Sequence, residues 1–158
     1  MAAPYLVDTN VLVRFFTGQP PDMAEKARTL VASADAGEVI LEVLPLIVAE
    51  TLYTLESFYG MERKAVATKF LSFLQSRGIK AHERDRVLDA LQRHHDYNVH
   101  FADAYLVAAA AELHLPVSSF DRDLDRFGDV KRLEPNAMAA TTGGPVVPRH
   151  NRDRKPLR

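Results

Sequence analysis

Four carboxylates in this chain are placed where their chemistry matters. Asp8 ends the apolar run Tyr5-Leu6-Val7 and precedes Thr9-Asn10. Glu50 is the only charge between Pro45 and Tyr53, Asp103 is the only charge between Phe101 and Ala111, and Asp121 follows Pro116-Val117-Ser118-Ser119-Phe120. Each has an ordinary explanation when taken singly. Asp8 can bond local backbone N–H groups in a turn, and Glu50 can lie on the solvent edge of an amphipathic helix. Asp103, in a first helical turn, complements the helix dipole. Asp121 can belong to a solvated acidic turn with Asp123 and Asp125. Together they invite a different reading, because four converging acids repel one another unless a cation neutralises them. A charge in a segment as apolar as that around Glu50 is also expensive to bury unless paired or bound to a metal. With no cysteine in the chain, the donors are carboxylates, hydroxyls, amides and water. That set suits Mg2+ or Mn2+ and not zinc.

The elements that must position these acids follow from periodicity and punctuation. Tyr5 to Val7, flanked by Pro4, reads as a fully buried central strand. Thr9 or Asn10 then caps a helix from Val11 to Phe16, which puts Asp8 at the carboxyl end of the strand, where ligands bind in open α/β sheets. Gly18-Gln19-Pro20-Pro21 breaks the chain, and Asp22 caps a helix from Met23 to about Ala36. Val39 to Leu41 reads as a strand. Pro45 opens a helix to about Tyr59, with Val48, Leu52, Leu55 and Tyr59 on its core face. Further helices are expected over Glu62–Ser76, with Val66, Phe70, Phe73 and Leu74 as apolar positions, and over Asp85–His95. The Ala-rich helix Phe101–His114 is expected to bury Ala102, Leu106, Ala109, Ala110 and Leu113, which places Asp103 on its buried side. Ile79 starts a weak strand, Val117–Ser119 is a strand, Asp121–Phe127 a short turn or helix, and Val130–Leu133 a last strand. Alternating strands and helices indicate an α/β domain with a mainly parallel sheet.

The composition bounds the function. At 158 residues, 47% of them apolar and 26% charged, the chain suits one globular domain. No apolar run approaches the ~20 residues that span a membrane. No signal peptide is visible at Met1-Ala2-Ala3-Pro4, and a cytoplasmic location without membrane partners is the natural expectation. Net charge is −1, but residues 141–158 carry five basic groups against Asp153, leaving 15 basic and 20 acidic groups elsewhere. So acidic a body is no general nucleic-acid clamp; any action on nucleic acid needs local basic patches, cations or a partner. From Pro135 onward the periodicity vanishes, so the domain is expected over residues 1–134 and a disordered basic tail over 135–158.

The order Leu6-Val7-Asp8-Thr9-Asn10, an isolated Glu50 in a helix, Phe101-Ala102-Asp103-Ala104 opening an Ala-rich helix, and Ser119-Phe120-Asp121 after a late strand resembles the PIN-domain family, and more narrowly the VapC-type toxins of toxin–antitoxin pairs. The resemblance covers about residues 4–134. It implies a three-layer α/β/α sandwich around a parallel sheet of order 3-2-1-4-5, in which strands 1 and 4 bring Asp8 and Asp121 together. It implies a Mg2+- or Mn2+-dependent endoribonuclease that leaves a 5′-phosphate and a 3′-hydroxyl. The acidic cluster carried over is Asp8, Glu50, Asp103 and Asp121, with Thr9, Asn10 and Ser119 as hydrogen-bonding support and Asp123 as a neighbour acting through water. It also implies a homodimer and a small antitoxin protein that buries apolar residues, with Phe15, Phe16, Phe58 and Tyr59 otherwise read as core.

Other residues carry weaker signals. Arg14, one turn after Asn10, can approach the acids, RNA or a partner, or form an outward ion pair. His94 and His95 cannot share a helix face and read as surface histidines. Arg63, Lys64 and Lys69 read as a solvated helix face able to touch phosphate. The spacing Asp121-x-Asp123-x-Asp125 lacks the glycine and later glutamate of a calcium loop. Asp8-Thr9-Asn10 lacks the second aspartate of aspartyl-phosphate enzymes. Two other readings stay open: a catalytically silent RNA-binding or assembly module of the same fold, and a nuclease directed at DNA.

Overall fold

The computed structural model describes residues 2–135; the expected basic tail lies almost wholly outside them. The elements run β1 (Ala3–Leu6), α1 (Thr9–Thr17), α2 (Pro21–Asp35), β2 (Val39–Val43), α3 (Pro45–Tyr53), α4 (Arg63–Gln75), β3 (Ile79–Ala81), α5 (Arg84–Tyr97), α6 (Phe101–Leu113), β4 (Val117–Ser118) and β5 (Arg132–Leu133). A π-helical turn, Thr54–Phe58, extends α3, and a 3-10 turn, Arg122–Arg126, precedes β5. The mixed α/β architecture with parallel strands is as expected. β2 is the middle strand, paired parallel with β1 (Tyr5 opposite Leu41) and with β3 (Leu41 opposite Ile79). β4 and β5 form a separate parallel ladder, Val117 opposite Arg132. Among the described residues no ladder joins β1 to β4.

β1 departs from the sequence expectation of a buried central strand. Among the described residues it is paired on one side only, and Tyr5 and Leu6 are 54% and 67% exposed, while Val7 just beyond it is buried. An apolar run reports the tendency to be covered; which neighbour covers it is a tertiary matter that periodicity does not carry.

The core gathers Leu12 and Val13 of α1, Leu41 and Val43 of β2, Val48 and Leu52 of α3, Phe70 and Leu74 of α4, Val87 and Leu91 of α5 and Val107 of α6. Phe16 stacks on Phe70 with ring centroids 5.0 Å apart, tying α1 to α4. At the entry to β3, Gly78 has φ +78° and lies so close to the end of α2 that an added Cβ would stand 2.0 Å from the Ala34 carbonyl oxygen. Only glycine accepts both conditions.

Helix starts and faces show where local chemistry overrides the simplest pattern. Asp8, not Thr9 or Asn10, caps α1: its backbone is extended and its Oδ1 accepts the Thr9 N–H at 2.9 Å. Asp22 does not cap α2, which starts at Pro21 after Pro20 and has no side-chain cap. In α6 the buried residues are Phe101, Ala104, Val107, Ala108 and Ala110, whereas Ala102 is exposed and Leu106 and Leu113 are 45% and 53% exposed. A helix apolar on all sides leaves its core face undefined by sequence.

Candidate active site

The carboxyl end of β1, the start of α1 and the end of α3 enclose a cleft of about 420 Å³, lined chiefly by Asp8, Thr9, Asn10, Arg14, Glu50 and Tyr59. Asp8 is fixed as the N-cap of α1, so its carboxylate sits at the positive end of that helix. Glu50 comes from the last turns of α3. Thr9 joins the two: its N–H donates to Asp8 Oδ1 at 2.9 Å and its hydroxyl to Glu50 Oε2 at 3.0 Å. One residue at the first position of α1 thus holds two acids 42 residues apart in sequence on the same cleft, with Asp8 Oδ2 and Glu50 Oε1 accepting no hydrogen bond among the described residues.

The opposite wall is the π-helical turn. Its wider hydrogen bonding, Tyr59 N–H to Thr54 carbonyl at 3.2 Å, shifts the following residues around the helix axis. Tyr59, expected on the core face with Leu55, instead stands 37% exposed in the cleft, while Leu55 remains buried. The Arg14 guanidinium donates to the Tyr59 hydroxyl at 3.1 Å, and the Thr54 hydroxyl to the Glu50 carbonyl at 2.9 Å. Phe58 and Tyr59 are therefore cleft and surface groups, not core.

Behind this turn lies a network that sequence reading missed. His94, read as a surface histidine, is fully buried; Nδ1 is 2.5 Å from the Val99 carbonyl oxygen and Nε2 2.5 Å from Glu56 Oε1. The Val99 carbonyl can only accept, so Nδ1 donates to it, and Nε2 shares a proton with the Glu56 carboxyl. Glu56 Oε2 also accepts from Arg63 Nε at 3.2 Å, and Arg63 Nη1 donates to the Asn98 carbonyl at 2.7 Å. Arg63 is thus committed to this network and is not part of a solvated basic face. Burial pushes the Glu56 carboxyl up, but the hydrogen bond and charge of His94, with Arg63, outweigh it and hold it below the usual carboxylate value. His95 remains partly exposed and pairs with Asp96 at 2.7 Å.

The other predicted site residues lie outside this cleft. Asp103 is half-buried in the first turn of α6. Asp121 is exposed and caps the 3-10 turn, its Oδ1 accepting from Asp123 N–H at 2.9 Å and its own N–H donating to Ser119 Oγ at 3.0 Å. Asp123 faces Arg126 at 3.4 Å. Asp125 is bound by both Arg132 Nε and Nη2, which hold its carboxyl below the usual range.

Residues 5–130 match the PIN domain. The chain belongs to the PIN domain family. PIN domains are generally metal-dependent nucleases that act on nucleic-acid phosphodiesters, so the chain is assigned to that class. No curated protein matches it. Among the described residues no helix is long and apolar enough to cross a membrane.

The fit to a divalent cation is a matter of donors and of place. All the donors in the cleft are oxygens, as hard cations require, and Mg2+ is commonly held by only one or two carboxylates with water and substrate phosphate completing its shell. Asp8 and Glu50 meet that minimum. Among the described residues no three acids or histidines converge closely enough to enclose an ion by themselves.

Proposed function

We propose that this PIN domain is an Mg2+- or Mn2+-dependent endoribonuclease, the toxin of a toxin–antitoxin pair, which hydrolyses RNA to leave a 5′-phosphate and a 3′-hydroxyl. The observation that carries the reading is the cleft in which Thr9 ties Asp8 to Glu50 at the start of α1. Asp8 and Glu50 would hold the cation, joined by Asp103 and Asp121, with Asn10 and Ser119 in support and Asp123 acting through water. A bound cation would offset the negative charge that builds on the phosphoryl oxygens and make a water more acidic. The protein's own part is positional. Thr9 fixes the orientation of both carboxylates, and Arg14, steadied by Tyr59, offers a cation to the substrate backbone. In this reading β1 and β4 become neighbours in a sheet of order 3-2-1-4-5, which brings Asp121 toward Asp8. The edge of β1 that has no partner among the described residues, and the exposed Tyr5 and Leu6, support that arrangement.

The partner in this reading is a small antitoxin, and the active form is a homodimer. A groove bordered by Phe15, Phe16, Val31 and Phe73 offers apolar surface for a partner to cover. The deciding experiment is cleavage of total cellular RNA by purified protein, with EDTA and with Mg2+ or Mn2+ restored, alongside Asp8→Asn. Discrete products bearing 5′-phosphates, dependent on metal and absent with Asp8→Asn, are expected. Products ending in 2′,3′-cyclic phosphate overturn the mechanism, and cleavage of DNA alone overturns the substrate assignment.

A further inference from the structure

We infer that the groove between α1 and α2 is a nucleotide subsite, which seats one residue of a single-stranded nucleic acid beside the phosphodiester held in the Asp8–Glu50 cleft. The inference rests on the nuclease reading and assigns the site a second, separable part. The groove has a volume of about 440 Å³ and is lined by Asn10, Val11 and Arg14 of α1 and by Met23, Lys26 and Leu30 of α2. That is within the usual range of roughly 300–1,000 Å³ for small-ligand sites. It continues into the cleft, because Asn10 and Arg14 line both.

The lining divides by chemistry. Val11, Leu30 and the half-exposed Met23 give an apolar wall against which the face of a base can lie. Two cations face the same space from different helices. Arg14 is anchored by the Tyr59 hydroxyl at 3.1 Å, which keeps its guanidinium at the junction of groove and cleft. Lys26 is exposed on α2. The neighbouring cation on that helix, Arg28, is already paired with Glu25 at 2.9 Å, whereas neither Arg14 nor Lys26 is ion-paired among the described residues. In a body with more acids than bases, two open cations beside an apolar wall complement a nucleotide: the phosphate between Arg14 and Lys26, the base on Met23 and Leu30. An apolar protein segment would leave both charges without a partner. The base must leave a stack to enter, which selects single strands.

Binding is tested in the full-length Asp8→Asn protein, in EDTA, by fluorescence anisotropy. The probes are a labelled mixed-sequence RNA 12-mer and its DNA counterpart, over a range of salt concentrations. Lys26→Glu and Arg14→Ala are expected to weaken both oligonucleotides several-fold. Lys26→Ala is expected to lower the slope of log K against log salt by roughly 1. Met23→Ser is expected to weaken binding with an unchanged slope, and Lys131→Ala, outside both cavities, to leave binding as it was. A preference of the variants' losses for RNA over DNA marks a site that reads the 2′-hydroxyl. Unchanged affinity and slope in folded Lys26→Glu overturn the subsite. The two readings fail differently. Metal-dependent cleavage by the parent protein with an unaltered KM in Lys26→Glu removes the subsite alone. A parent protein that cleaves nothing removes the nuclease, while the binding series still decides the groove.

Discussion

The buried Glu56–His94 pair makes a quantitative test of how the cleft wall is held. His94 has no exposed surface, and the Glu56 side chain is 11% exposed. The pair joins the π-helical turn to the end of α5, across 38 residues of sequence. Removing one member of such a pair leaves the other charge or polar group uncompensated, which typically costs about 3–5 kcal/mol. Arg63 still faces Glu56 when His94 is lost, so His94→Leu is expected at or just below the lower end of that range, about 2–3 kcal/mol. Glu56→Leu strands both His94 and Arg63 and is expected to cost about 3–4 kcal/mol. The double variant removes both desolvated groups and should cost less than the sum by at least about 1 kcal/mol. Urea denaturation of the four proteins measures this as a shift in midpoint at constant slope. Additivity within about 0.5 kcal/mol would refute the coupling and with it the account of the turn as pinned from behind. Acid supplies a second arm. Glu56 has a folded-state pKa below its unfolded value of about 4.3. Its contribution is therefore complete above that value and is lost as pH falls through the lower, folded one. The parent protein should lose stability more steeply below about pH 4.5 than Glu56→Gln does.

Other consequences concern the cleft and the fold. Asp8 caps α1 as well as lining the cleft, so Asp8→Asn, which keeps a capping oxygen, should retain stability while losing at least about 100-fold in cleavage. Asp8→Ala should lose the same activity and about 1 kcal/mol besides, and equal activity in parent and Asp8→Asn would return Asp8 to a purely structural role. Thr9→Val removes the hydroxyl that orients Glu50. A fall of about 10-fold in kcat or metal affinity with little change in melting temperature is expected, and unaltered kinetics would show that Glu50 needs no such support. Gly78→Ala forces a Cβ onto the Ala34 carbonyl at a positive φ. A loss of about 3 kcal/mol or more by denaturant titration is expected, and a loss under about 1 kcal/mol would mean that the end of α2 yields easily.

What could be read from the sequence was the part encoded locally. A lone acid after an apolar run, a lone glutamate in an apolar helix and prolines or glycines at element ends each mark a position without reference to the rest of the chain. The helix Arg63–Gln75 shows this at its best, because Val66, Phe70, Phe73 and Leu74 recur at helical spacing and all four are buried. Three kinds of feature were not legible. The core face of α6 is one, since alanine on every side gives no moment to read. The π-helical turn is another: a one-residue shift of hydrogen bonding has no composition signal, yet it moves Tyr59 out of the core and Arg14's anchor into the cleft. The third is the burial of His94, whose partners Glu56 and Val99 come from a different helix and from the loop ahead of α6.

The last two of these share a location, and that has a mechanistic reading. Asp8 is fixed by a short-range device, the cap of α1, which the chain can encode within a few residues, and Glu50 is tied to that same helix start by the single hydroxyl of Thr9. The wall opposite them, carrying Thr54, Phe58 and Tyr59, is held to the rest of the fold by a separate set of long-range contacts: Glu56 to His94, Arg63 to Asn98, Tyr59 to Arg14. A site built this way separates its chemistry from its shape. Changes that loosen the His94 network should alter which substrates fit, through the position of Arg14 and the groove it shares with Lys26, before they alter the carboxylates. His94→Leu should therefore raise KM more than it lowers kcat. The opposite split would place the network's influence on Asp8 and Glu50 themselves.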